Sequence, residues 1–211
     1  MNIDVAQHLG AVTRVVTSRE HGGRPARVVI ATRTYDTDVH DLWDAMTSAE
    51  RIPRWFLPIT GDLRLGGRYQ LQGNAGGTIE RCEPPEHLAL TWEMRGETSW
   101  VTVTLSPTED GRAALHLEHV AHVPEEFWTQ YGPGAVGAGW DLTLLGLALH
   151  VATGAVVNDP ASIGPWMASE GGRAFVRGSC DGWADAAIAA GDAPQDARAA
   201  GQRTVTAYTG G

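Results

Sequence analysis

The chain has 211 residues, 43% of them hydrophobic and 19% charged, which is the composition of a globular protein and excludes an intrinsically disordered one. Its 16 basic residues are all arginine, and 25 acidic residues bring the net charge to −9. Because phosphate recognition needs clustered basic side chains, this charge argues against nucleic-acid binding and against docking on an anionic membrane. Eight tryptophans, more than either other aromatic type, are the unusual feature of the composition.

Targeting signals and cysteine usage indicate a cytoplasmic protein. The first residues show no basic segment followed by an apolar one, so we expect no secretory signal. No apolar run reaches the roughly 18 residues of a membrane span. Cys82 and Cys180 are far apart in sequence and are predicted to be free thiols in a reducing compartment, with a disulfide between them as the alternative. We expect no metal and no cofactor.

The N-terminal part is predicted to contain a hairpin followed by two short helices. Residues 1–9 are expected to form a loose leader. The β-branched runs 12–17 and 27–33 lie on either side of a turn, which is typical of a hairpin. Thr37 or Asp38 can cap a helix with one apolar stripe, and a second, irregular helix is predicted to end near Trp55.

Residues 59–122 are predicted to form an antiparallel meander. The candidate strands are 61–65, 67–73, 77–83, 87–94, 98–106 and 112–122. Leu88, Leu90 and Trp92 share one strand face and alternate with Ala89, Thr91 and Glu93. His119 shares its strand face with Leu115 and Leu117. One face of the sheet is therefore apolar and the other mostly polar, which predicts a sheet covered on one side only.

The C-terminal third is predicted to be helical. Residues 140–151 are apolar nearly all round, which is typical of a buried helix of about 12 residues. The glycine cluster at 132–137 is interpreted as a flexible joint that gates a cavity, because no parallel strand precedes it as dinucleotide binding would require. Residues 155–211 are predicted to be a helical extension packed on a first domain of residues 1–154. The face of this extension that carries Phe175 and Trp183 suits either docking on the same chain or a homodimer contact.

The order of several motifs resembles the branch of the START/birch-pollen-allergen (SRPBCC) superfamily that is related to activators of a heat-shock chaperone ATPase. The segments that carry the resemblance are 43–56, 61–69, 77–85, 90–92 and 139–140. The resemblance covers about residues 25–152 and implies an α+β helix-grip fold, in which a curved antiparallel sheet of about seven strands surrounds a long C-terminal helix. In such folds the sheet and the helix can enclose a pocket for apolar ligands.

The residues expected to line this pocket are mostly aromatic. They are Trp55, Phe56, Tyr69, Trp92, His119, Trp140, Asp141 and Leu144. His119 is either a structural histidine with satisfied hydrogen bonds or a group that binds ligand or exchanges protons. Asp141 either stabilises the helix N-terminus or reaches the cavity and pairs with a histidine.

Three functions are compatible with these residues. The first is the binding of a small hydrophobic or aromatic molecule. The second is an enzyme of the polyketide cyclase or dehydratase type, with His119 as the acid/base group. The third is a chaperone-regulating or protein-interaction module, which the resemblance alone suggests.

Overall fold

The computed structural model describes residues 3–210. The helices are α1 (Val5–Gly10), α2 (Val39–Thr47), α3 (Ile52–Trp55), α4 (Glu125–Tyr131), α5 (Gly134–Thr153), α6 (Pro160–Ala168), α7 (Glu170–Ala189) and α8 (Pro194–Thr209). The strands are β1 (Val12–His21), β2 (Arg24–Tyr35), β3 (Ile59–Gly61), β4 (Arg68–Leu71), β5 (Gly76–Glu83), β6 (His87–Met94), β7 (Glu97–Pro107) and β8 (Ala113–Ala121).

The strands form one eight-stranded antiparallel sheet in the order β1-β2-β8-β7-β6-β5-β4-β3. The predicted meander is confirmed, because β3 to β8 follow one another both in the chain and in the sheet. The α+β helix-grip fold is confirmed as well, with a curved sheet, a long helix and further C-terminal helices. The predicted strand at 61–65 is wrong, since β3 ends at Gly61 and turn hydrogen bonds such as Gly67 N to Arg64 O hold the following residues in a loop.

The chain divides into two compact units. Unit 1 contains residues up to Ala31, His122–Leu142 and the chain from Pro160 onward, whereas unit 2 contains Thr32–Ala121 and Thr143–Asp159. The boundaries of these units differ from the predicted division into residues 1–154 and 155–211. That division into domains stays a prediction.

The long helix α5 differs from the prediction at its N-terminal end. It begins at Gly134 and has 20 residues, so the expected flexible joint at 132–137 is wrong over Gly134–Gly137. The glycine at 137 has a packing reason: a Cβ there would lie 2.3 Å from the indole of Trp183 in the same unit. By length and composition α5 could cross a membrane, but many of its residues are buried, and the core helix of a soluble protein passes the same test.

The N-terminal segment is another correction. Residues 5–9 of the predicted loose leader belong to α1, whose N-cap Asp4 accepts a hydrogen bond from Gln7 N at 3.0 Å, and residues 1–2 of that leader lie outside the described residues. The Asp-x-x-Gln spacing is a capping signal that the sequence contains. At the next helix Asp38 rather than Thr37 is the N-cap, since its side chain accepts from His40 N and Asp41 N.

The C-terminal helices build the core of unit 1. Phe175 and Trp183 on α7 are enclosed within this unit, with exposed fractions of 1% and 0%. Both side chains are therefore buried within a single chain, as the alternative of docking on the same chain predicted. A homodimer stays a prediction. Both Cys82 and Cys180 are free thiols, as expected.

Candidate functional site

The inner face of the sheet in unit 2 is a continuous apolar surface. Leu90 on β6 lies opposite Ile79 on β5 and Val101 on β7, and Val101 lies opposite His119 on β8. Around Tyr69, Leu71 and Ile79 pack further apolar side chains of unit 2. They are Phe56, Leu57, Ile59, Leu63, Cys82, Leu88, Leu90 and Trp92. The strands bring these residues together because side chains two apart point to the same face.

The inner face is covered unevenly. On β7 the inward residues Val101 and Val103 are buried. On β6 the inward residues Leu88, Leu90 and Trp92 are only half-buried. Apolar surface therefore stays accessible along β6, as it does on the half-buried Phe56, Leu57, Ile59 and Leu63 of the same cluster. This is the part of unit 2 where an apolar molecule could lie.

A polar cluster lies at one end of this surface. Ser99 on β7 lies opposite Trp92 on β6, and its hydroxyl donates to the Trp92 carbonyl oxygen at 3.1 Å. His119 Nε2 lies 2.8 Å from Ser99 Oγ. With the single hydroxyl proton directed at the Trp92 carbonyl, the contact with His119 requires the tautomer in which Nε2 carries the proton and donates to Ser99. The rings of Trp92 and His119 are 6.4 Å apart between centroids and tilted by 57°.

Burial sets the charge of His119. Its enclosure disfavours the imidazolium and lowers the pKa of His119 from 6.5 to about 4. At neutral pH the side chain is therefore uncharged. The expectation that His119 points to the core is confirmed, and it is hydrogen-bonded there to a side chain.

Trp55 and Phe56, both predicted to line the pocket, form an aromatic pair. Trp55 ends α3, its Nε1 donates to Ala45 O at 2.9 Å, and its ring stacks on Phe56 with centroids 5.6 Å apart. Gly146 of α5 approaches closely, because a Cβ there would be 2.5 Å from the Trp55 carbonyl oxygen. This glycine lets the second half of α5 pack directly on α3.

Tyr69 and Leu144 contribute apolar surface. The Tyr69 hydroxyl donates to Thr91 O at 2.8 Å, and burial raises the pKa of that phenol. Leu144 is buried, and its carbonyl oxygen accepts from the Tyr35 hydroxyl at 3.4 Å. Six of the eight predicted site residues, including these two, thus belong to unit 2.

The other two predicted residues, Trp140 and Asp141, belong to unit 1, and both are buried. Asp141 is the eighth residue of α5, so the expected role at the helix N-terminus is wrong. Arg14 Nε donates to its Oδ2 at 2.9 Å, Trp183 Nε1 donates at 3.1 Å, and Ser179 Oγ donates as well. Burial raises the pKa of Asp141, and Arg14 opposes that shift.

Sequence reasoning missed Ser99 and Cys82. Ser99 shares the inward alternation of Val101 and Val103, so its position on the apolar face could have been found. Cys82 lies opposite Leu88 on β6 and is half-buried in the apolar cluster. Within residues 3–210 no group of three histidine, cysteine, aspartate or glutamate residues could hold a metal ion.

The profile of one protein family, described as "Activator of Hsp90 ATPase homolog 1-like protein", matches residues 36–152. A solution structure of CalU16 from Micromonospora echinospora is 33% identical, covers 85% of this chain and 97% of its own, and has a TM-score of 0.68. A crystal structure of the same protein is 37% identical over 68% of this chain and 88% of its own, with a TM-score of 0.59.

A third structure, protein MLL2253 from Mesorhizobium loti, is 23% identical over 60% of this chain and 97% of its own, with a TM-score of 0.52, and shares the fold. No curated protein matches the sequence.

Proposed function

Because the chain belongs to the family of activator of Hsp90 ATPase homolog 1-like proteins, we propose that it binds a small hydrophobic or aromatic molecule on the inner face of the sheet in unit 2. The observation that carries this proposal is the half-buried row Leu88, Leu90 and Trp92, which lies beside the buried Val101 and Val103 of β7. Buried apolar contact supplies the binding energy, and a few polar groups set orientation. We also propose that the protein acts in the cytoplasm.

An enzymatic role is the second candidate, and the 2.8 Å contact between His119 and Ser99 is the observation that favours it. A serine beside a histidine is the usual arrangement of an activated nucleophile. Here the serine proton is directed at the Trp92 carbonyl oxygen, and an imidazole with a pKa of about 4 is a weak base at neutral pH. These two features favour binding over catalysis. Chaperone regulation stays a prediction, because the family description alone suggests it.

Cys82 provides a direct test of ligand binding. A panel of small aromatic and fatty compounds is screened by thermal shift, and the rate at which N-ethylmaleimide modifies each cysteine is followed by mass spectrometry. A bound compound is expected to raise the Tm and to slow modification of Cys82, which lies inside the apolar cluster. Cys180 is buried in unit 1 and serves as the internal control.

Two tryptophan variants make the test specific. Trp92 and Trp100 lie on adjacent strands, but on opposite faces of the sheet by their alternation. We expect Trp92→Ala to abolish the protection of Cys82 and Trp100→Ala to keep it. The proposal is wrong if no compound in the panel protects Cys82 or raises the Tm, or if both variants lose protection equally.

A further inference from the structure

The polar atoms of the apolar cluster in unit 2 narrow the chemistry of its ligand. Tyr69 and Trp55 both direct their donors to backbone carbonyls, those of Thr91 and Ala45. They therefore offer a ligand aromatic surface rather than hydrogen bonds. The remaining polar pair on the inner face of β7 and β8 is Ser99 with His119.

Ser99 retains hydrogen-bonding capacity of one kind only. A hydroxyl has one proton to donate and two lone pairs to accept with. The proton goes to Trp92 O at 3.1 Å, and one lone pair accepts from His119 Nε2 at 2.8 Å. One lone pair is left, and Ser99 is half-buried rather than enclosed. This end of the inner face can thus receive a hydrogen bond from a bound molecule.

We propose that the ligand is a flat aromatic molecule carrying a neutral hydroxyl group, which donates to Ser99 Oγ while the ring lies against Trp92. This inference rests on the proposed function and names the class of its ligand. A hydroxyl on an aromatic ring combines a strong donor with the apolar surface that Leu88, Leu90 and Trp92 can cover. The His119 donor keeps Ser99 in the orientation in which it accepts.

A carboxylate at the same position is disfavoured for two reasons. It would need donors, whereas the donors of Ser99 and His119 already have acceptors. It would also bring a charge next to an uncharged imidazole, and an uncompensated buried charge is costly. Unit 2 does hold a buried cation on β2, Arg33, whose guanidinium lies 5.4 Å from the ring centroid of Tyr35. An aromatic acid is therefore the competing probe that decides between Ser99 and Arg33 as the group that selects the ligand.

The test compares three probes with the same ring system: 2-naphthol, 2-methoxynaphthalene and 2-naphthoate. Dissociation constants are measured by isothermal titration calorimetry at pH 7.5 on the full-length protein. A neutral hydrogen bond contributes about fivefold to an equilibrium constant, so we expect the naphthol to bind about fivefold more tightly than the methyl ether. The naphthoate is expected to bind most weakly.

Two variants of Ser99 locate the effect. Ser99→Ala is expected to bring naphthol and its ether to equal affinity, because the acceptor is gone and both oxygens can accept from His119. Ser99→Thr keeps the hydroxyl on a strand and should keep the preference. Circular dichroism and Tm confirm that each variant is folded before titration.

Each outcome separates this inference from the proposed function. Equal binding of naphthol and ether by the unmodified protein overturns the inference while the proposed function stands. If the naphthoate binds most tightly of the three probes, the inference is again overturned while the proposed function stands, and Arg33 is the group that selects the ligand. If none of the three probes binds, the inference is overturned, and the panel that follows Tm and the modification of Cys82 decides the proposed function. A naphthol preference that survives in Ser99→Ala also overturns the assignment to Ser99.

Discussion

Asp141 and Arg14 form an ion pair in unit 1 that is almost completely removed from solvent, with side-chain exposed fractions of 0% and 9%. Arg14 Nε donates to Asp141 Oδ2 at 2.9 Å, and Ser179 and Trp183 donate to the same oxygen. Asp141 Oδ1 and Arg14 Nη2 are buried without a hydrogen-bond partner among the residues described. The pair joins β1, α5 and α7, so it connects segments that are far apart in sequence.

Removal of the aspartate charge is expected to destabilise the protein strongly. Asp141→Asn leaves the Arg14 guanidinium buried without a counterion, which costs about 3–5 kcal/mol of unfolding free energy. Urea denaturation measures this loss. The matched control is Asp185→Asn, which removes the exposed partner of Arg198 and should cost under about 1 kcal/mol.

Replacement of both partners separates charge from packing. Arg14→Met combined with Asp141→Asn is expected to recover much of the loss, since no buried charge remains and the amide oxygen still accepts from Ser179 and Trp183. An Asp141→Asn variant as stable as the parent protein would show that this ion pair does not hold unit 1 together.

Gly137 is expected to tolerate no side chain. Its Cβ would lie 2.3 Å from the Trp183 indole, so Gly137→Ala forces α5 and α7 apart and should cost about 1–3 kcal/mol. Gly164 on α6 has nothing within 4 Å of its Cβ position, and Gly164→Ala should be neutral or stabilising because alanine favours helix. Thermal unfolding of the two variants checks the contrast, and equal Tm values would contradict the close packing of Gly137.

His119 is expected to make the protein less stable in acid. Its pKa is lowered from 6.5 to about 4, so between these values the unfolded chain takes up a proton that the folded protein does not. The contribution of His119 to the free energy of unfolding is fully present above pH 6.5. It falls as the pH drops toward 4, by at most about 1.4 kcal/mol per pH unit.

Urea titrations from pH 4 to pH 7.5 measure this slope. His119→Gln should flatten it, and His116→Gln, at an exposed position on the same strand, is the matched control. Identical slopes in the two variants would rule out His119 as the source.

The two thiols are expected to react very differently. Burial and nearby carboxylates raise the pKa of Cys180 to about 12, and the thiolate is the reactive form. Ellman's reagent should therefore detect one thiol, Cys82, in the native protein and two in 6 M guanidinium chloride. Cys82→Ser should leave no reactive thiol in the native state, and a fast native reaction at Cys180 would contradict its enclosure in unit 1.

Much of the sheet and part of the site were predictable from the sequence. The alternation of Leu88, Leu90 and Trp92 and of Leu115, Leu117 and His119 placed these side chains on one face, and the register confirms that this face is continuous. The helical boundaries were less predictable. The glycines that open α5 weaken helix propensity, but close packing against Trp183 requires at least Gly137.

The sequence by itself determined the elements that depend on local pattern: the antiparallel meander, its apolar face and the helical C-terminal third. Only the tertiary structure decided the partners of the polar residues. Asp141 contacts Arg14, which is 127 residues away in the sequence, and His119 contacts Ser99, which is 20 residues away. Local periodicity shows which face a side chain occupies, because it depends on backbone geometry alone. It does not show which distant group shares that face, because the packing of complete elements decides that.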